Sequence, residues 1–248
     1  MSENLSRAPR DPAKPASHYI AFVEREQQAM LAYTKFDNPA LYFSVAPICV
    51  RIGGALYSAG AEVSECLRWF EKAADYQRRF LVDGKKFKLA NIGTIDNYLE
   101  IYSAAFLAGK SGELIAALEQ CSYSETPPPL EMKLLTQFCD FLRGGKIDTD
   151  EKQLAELKAL HERWGVLPLV LSTVSKKDAP GARAALDDYL ANHWGPPIEK
   201  TAKKALKSPS AEFWGRWSFF SAAACKILEV VPDLGSRAKS YVPTELAG

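Results

Sequence analysis

The stretch Phe213-Trp-Gly-Arg-Trp-Ser-Phe-Phe-Ser-Ala-Ala-Ala-Cys-Lys-Ile-Leu-Glu-Val-Val231 decides how this chain is read. Wound as a helix it is apolar on nearly every side, and such a helix survives in water only when other elements surround it. Three rings, Phe213, Trp214 and Trp217, crowd its first turns, and the small residues Ser221 to Ala224 then let a neighbouring helix come close. The pattern predicts one continuous buried helix, the central post of a helical assembly. It carries almost nothing that could do chemistry.

Working outward, Ser208-Pro209 introduces the post, Pro196-Pro197 starts a basic helix through Lys207, and Asp178-Ala179-Pro180 starts another reaching Trp194. The β-branched run Val166 to Val174 suits a strand, but Pro168 and the helical neighbours favour a buried helix. Asp148-Thr149-Asp150-Glu151 supplies a cap and dipole-favourable acids for a helix over 152–164. Pro127-Pro128-Pro129 opens a helix that Gly144-Gly145 ends.

Towards the N-terminus, Ser17 reads as the cap of a helix to Phe36, and Asn38-Pro39 starts a second that Gly60 stops. Val63, Cys66, Leu67, Phe70, Ala73, Ala74, Tyr76 and Phe80 then form one apolar stripe over 61–81. Thr94 reads as the cap of a helix over 95–107, and Glu113 to Cys121 as a short amphipathic helix. Residues 1–16, with Pro9, Pro12 and Pro15, bury too little to offset ordering entropy and read as a disordered tail.

The predicted fold is all-α: layered helical hairpins in an irregular, solenoid-like bundle of about ten helices. Leu56-Tyr-Ser-Ala-Gly60 and Ala105-Phe-Leu-Ala-Gly109 join successive helix pairs much as tetratricopeptide hairpins are joined, but the spacing is too irregular for a true repeat array. Residues 17–248 read as a single helical domain, with the triple proline as a seam between halves 17–124 and 125–248.

In a chain of 248 residues, 47% apolar content is ample for a core. Thirty-one basic against thirty acidic residues leave a formal charge of +1, so there is no overall electrostatic footprint for nucleic acid or an anionic membrane. No apolar run reaches the roughly 18 residues of a membrane span, and the N-terminus lacks a secretory h-region, so the chain is expected in the cytoplasm. Five widely spaced cysteines in apolar surroundings suit reduced, buried thiols.

A search for chemistry returns little. His18, His161 and His193 lie far apart and no metal-binding spacing is present, so neither a metal nor a cofactor is expected. Gly109-Lys110-Ser111 lacks the first glycine of a phosphate-binding loop and follows a helix instead of a strand. Lys200, Lys203, Lys204 and Lys207, and Lys85, Lys86 and Lys88, do not interleave with aromatics and read as solvated faces.

The opening stretch also carries a family likeness. Trp194 closing a helix, the run Phe213 to Leu228, and the tail Tyr241-Val-Pro-Thr-Glu-Leu246 resemble the C-terminal half of PoNi-type immunity proteins of bacterial polymorphic toxin systems. There an aromatic-Gly-x-Trp-Ser-Phe-x-Ala-Ala-Ala-like helix precedes a short Tyr-Pro-containing tail. Leu56 to Gly60 and the helix after it resemble the N-terminal half. Tyr241-Val242-Pro243 stands where the family has paired tyrosines, and Phe213-Trp-Gly-Arg where Tyr-Gly-Tyr is commoner.

The resemblance implies an α-helical antitoxin, not an enzyme, that binds a cognate toxin delivered by a contact-dependent or type VI secretion apparatus, typically a nuclease and foremost a DNase. A nuclease presents a basic surface, so its inhibitor profits from carboxylates that steer association. The candidate partner-binding acids are Asp148, Asp150 and Glu151, then Asp187 and Asp188, with Glu113 and Glu119 behind them. Trp214, Gly215, Trp217 and Ser218 are assigned to packing. A second copy of the chain is left open as a further partner. Two rival readings are a helical-repeat adaptor binding a peptide or secretion component, and an enzyme built on His193 with Asp187 or Asp188.

Overall fold

A computed structural model describes residues 8–83, 92–121, 130–144, 152, 155–156, 170, 173, 179–207, 213–228 and 234–247. Among them the secondary structure is helical throughout, with no strand, and the fold is all-α. The chain sorts into two compact units, each gathered from separate stretches of sequence. The first comprises Met1–Phe87, Glu100–Ser122 and Ile198–Trp217; the second comprises Lys88–Leu99, Tyr123–Pro197 and Ser218–Gly248. The contiguous halves 17–124 and 125–248 do not coincide with these units, because 198–217 belongs with the N-terminal helices.

In the first unit, α1 (Ala16–Thr34) buries Tyr19, Phe22, Val23 and Glu26, one stripe at i, i+3, i+4 and i+7. Glu26 is tolerated there because Arg51 of the next helix holds its carboxylate at 2.6 and 2.9 Å. Ser17 does not cap α1; the cap position is Pro15, two residues earlier than expected.

Asp37 turns the chain at φ 41°, a conformation aspartate tolerates better than most residues. The Tyr42 hydroxyl and the Arg79 guanidinium both donate to its carboxylate and hold the carboxyl below its ordinary range. Asn38 then caps a short 3-10 turn, Pro39–Leu41, by accepting from the Ala40 N–H, as the Asn-Pro pair predicts.

Helix α2 (Tyr42–Ala59) is buried along nearly its whole length by α1 and α3 (Val63–Asp83). The segment Pro39–Ala59 is long and apolar enough to cross a membrane by length and composition, which corrects the sequence reading, but 72% of its window is buried inside the protein. Helix α3 packs by one face, as predicted, through Cys66, Phe70, Ala73 and Ala74; Trp69 and Gln77 join that face.

Two turns are built alike. After α2, Gly60 takes φ 92°, its N–H donates to the Tyr57 carbonyl, and the Ala61 N–H reaches the Leu56 carbonyl at 3.0 Å. After α4 (Ile92–Leu107), Gly109 takes φ 72°, with Gly109 N–H on Phe106 and Lys110 N–H on Ala105 at 2.7 Å. Both are Schellman turns, and both need the left-handed backbone that glycine adopts at no steric cost. Each closes a hairpin, onto α3 in one case and onto α5 (Ser111–Glu119) in the other, and α5 packs on α3. Thr94 is not a cap, because α4 begins two residues before it.

In the second unit, α6 (Leu130–Leu142), a six-residue π-helix (Tyr189–Trp194) that continues α7 (Ala179–Asp188), and α9 (Phe219–Ile227) share an aromatic core. Phe220 is its hub, with ring centroids 5.7 Å from Phe138 and 5.4 Å from Tyr189. Helix α8 (Gly195–Lys207) follows the π-helix directly. The tail ends in two single turns, α10 (Ser236–Lys239) and α11 (Thr244–Ala247), the latter packed on α9. Val170 and Thr173, the described residues of the ambiguous run, are helical.

The post itself is corrected. Phe213 to Ser218 are not helical, and the helix starts only at Phe219. Ser218 sits at φ −97° and ψ 99°, outside helical space, and its hydroxyl accepts the Ser221 N–H at 3.2 Å. A serine able to cap at that point competes with helix continuation, and Gly215 at φ 135° breaks the helix upstream. The helical part, Phe219 to Cys225, is buried on all sides, as its composition predicts.

Candidate functional site

The N-terminal segment is not a free tail from residue 8 onward. Asp11 is fully buried, and its Oδ1 accepts from Arg216 Nε and Nη2, both at 2.9 Å, and from the Ala13 N–H at 2.9 Å. Arg10 donates to the Tyr57 and Ala61 carbonyls at the end of α2, with its guanidinium 4.5 Å from the Tyr57 ring centroid. The N–H groups of Arg10 and Asp11 both reach the Ser58 carbonyl. The entropy argument for a tail fails here because backbone and charged partners, not apolar side chains, hold the segment.

Ser58 is the centre of this first-unit cluster. The Trp217 indole N–H donates to its hydroxyl at 2.7 Å, and that hydroxyl lies 2.9 Å from the Gly54 carbonyl and 3.1 Å from the Trp214 carbonyl. The Tyr57 and Trp217 rings meet edge to face at 5.0 Å. Tyr19 donates to the Asp11 carbonyl, and burial together with the Asp11 charge pushes its phenol far up. His18 Nε2 is 3.1 Å from the Phe213 carbonyl, and burial holds the imidazole below its ordinary value despite that bond. The Lys14 ammonium donates to the Ala205 carbonyl. This is a largely buried clamp that fixes the strap 213–217, with Arg216 left partly exposed.

The candidate acids fall in separate places. Asp148, Asp150 and Glu151 lie outside the described residues. Asp187, in α7, accepts the Gly235 N–H at 2.9 Å and so anchors the turn before α10. Asp188 is exposed; its Oδ1 accepts from Asn192 at 2.7 Å, and its Oδ2 lies 3.7 Å from His193 Nε2. That gap is too long for a hydrogen bond, so the pair is an ion contact when the imidazole is protonated. Glu119 is exposed on α5.

Glu113 enters a cavity. In the first turn of α5, where a carboxylate favours the helix N-terminus, it lines a crevice of about 110 Å³ with Lys110 and Leu114 and with Glu71, Ala74, Asp75 and Arg78 of α3. The four α3 residues follow at i, i+3, i+4 and i+7, one stripe of that helix. Arg78 holds Asp75 at 3.0 Å. Glu71 and Asp75 lie outside the apolar stripe of α3, but nothing local in the sequence places α5 beside them.

All five cysteines are free; four are buried and Cys121 is half-buried. Burial pushes the Cys49 thiol up to about 12 and the Cys225 thiol up to about 11, so neither is poised as a nucleophile at neutral pH. Among the described residues no group of three or more His, Cys, Asp or Glu side chains is placed to hold a metal ion. On α8, Lys200, Lys203 and Lys204 are exposed. No protein-family model, curated protein or solved structure matches the chain.

Proposed function

We propose that the chain is a PoNi-type immunity protein, a cytoplasmic antitoxin that binds and neutralises a cognate secreted bacterial toxin, foremost a DNase, by protein–protein contact. One observation carries the reading. The stretches that bear the family resemblance lie far apart in sequence, yet they meet: Trp217 donates to Ser58 in the first unit. In the second unit the Ser218 N–H donates to the Tyr241 carbonyl at 2.8 Å, and the Tyr241 ring packs on Gly195 beside Trp194. Motif residues that make one another's hydrogen bonds behave as a single constraint, which supports reading them together.

On this view the strap and its clamp keep the scaffold rigid, while exposed carboxylates such as Glu113, Glu119 and Asp188 face the toxin and speed its encounter. The test is co-expression with the product of the adjacent upstream gene. A stable complex on pull-down, with host DNA protected, is expected; no complex and no protection overturns the reading. Reversing Asp148, Asp150 and Glu151 is expected to slow association while Tm holds, and unchanged kinetics remove that patch from the interface.

A further inference from the structure

We propose that the crevice between α3 and α5 receives a single cationic side chain, lysine or arginine, presented by a protein partner. The inference deepens the reading above and rests on it for the source of that side chain, the basic surface of the toxin.

Size decides the class of occupant. Ligand pockets for metabolites and cofactors run to about 300–1,000 Å³, whereas this crevice holds about 110 Å³. That is room for one side chain, the way an anchor residue fills a pocket at the centre of an interface. Its floor is apolar: Ala74 and Leu114 are buried. An aliphatic stem lies on such a floor while its charged head stays at the wet rim.

Charge decides the sign. Asp75 is neutralised by Arg78 at 3.0 Å. Glu71 from α3 and Glu113 from α5, both exposed, have no ion-pair partner among the described residues, and neither does Lys110. Two unpaired carboxylates against one ammonium leave the rim net negative, with its acids on two different helices. A cation seated between them completes two charge-assisted contacts. Lys110 opposes it, so removing that charge strengthens binding, an effect an ordinary solvated surface would not predict.

The experiment is an NMR titration of the full, ¹⁵N-labelled chain with Nα-acetyl-lysine methylamide and, separately, Nα-acetyl-arginine methylamide. The norleucine and glutamate analogues serve as controls. Expected are saturable shift changes confined to residues 71–78 and 110–114 with a cationic probe. Glu71→Gln with Glu113→Gln should weaken binding about tenfold, and Lys110→Met should tighten it, with the rest of the spectrum native because all three sites are on the surface. Saturation by norleucine or glutamate, no saturable shift, or indifference to Glu71→Gln with Glu113→Gln overturns the proposal. A null titration beside an intact toxin complex removes the crevice and leaves the proposed function; a positive titration without any toxin complex removes the toxin as the source.

Discussion

Replacing Gly215 by alanine tests the clamp at its tightest point. The glycine sits at φ 135°, where a side chain is strained by about 1–3 kcal/mol. An added Cβ would also lie 2.3 Å from Ser58 Oγ and 2.9 Å from Trp217 Cδ1 and Nε1. Relieving such overpacking costs a further 1–3 kcal/mol or so, which gives a total of about 2–6 kcal/mol. Ser58→Ala instead leaves the buried Trp217 N–H without its acceptor, at about 1–3 kcal/mol.

The two substitutions share one contact, so their costs should not add. With the Ser58 hydroxyl gone, the worst clash of the methyl group introduced by Gly215→Ala goes with it, and the double variant should be more stable than the sum predicts by about 1–2 kcal/mol. Urea denaturation followed by tryptophan fluorescence gives the three free energies. Thermal scans should show Gly215→Ala lowering Tm by at least about 4 °C, since each kcal/mol moves a chain of this size by about 2–4 °C. A Gly215→Ala chain as stable as the parent, or strict additivity with Ser58→Ala, would refute the clamp.

Three further outcomes are expected. Arg216→Met strands the Asp11 carboxylate in the interior and should cost about 3 kcal/mol, measured by urea midpoint; a loss under about 1 kcal/mol would show that water reaches Asp11. His18, held below its ordinary 6.5, favours the neutral form when folded, so its contribution to stability is intact above that pH and declines as pH falls further. The stability difference between the parent and His18→Gln should therefore narrow from pH 7.5 to 5.5, and a constant difference would contradict it. With a thiol reagent at pH 8, the half-buried Cys121 should react first and Cys49 only on unfolding; early labelling of Cys49 would contradict its burial.

The all-α class and most helix positions were legible because apolar spacing and punctuation agreed: Asn38-Pro39, Gly60 and Gly109 each mark a boundary where the structure has one. The reading failed where a long-range polar partner outweighed local preference. Phe213 to Ser218 has the composition of a helix but is claimed by Ser58, a residue about 160 positions away that no periodicity connects to it. Asp11 and Arg216 are likewise unremarkable in their own neighbourhoods. Of the candidate acids, the anchoring role of Asp187 was not legible because its partner, the Gly235 N–H, comes from a distant turn.

The strap that ties residue 216 to residue 11 also sets a schedule. The first unit needs a stretch ending at Trp217, so its closing contacts span about two hundred residues of chain. At synthesis rates of about 5–20 residues per second, roughly 10–40 s separate the emergence of Asp11 from that of Arg216. For most of that interval, from the emergence of residue 58 onward, the end of α2 waits with Ser58 unclaimed by Trp217. Folding of the first unit is therefore completed late in synthesis, and a nascent chain halted before Arg216 should be markedly more open to proteolysis than one halted after Trp217.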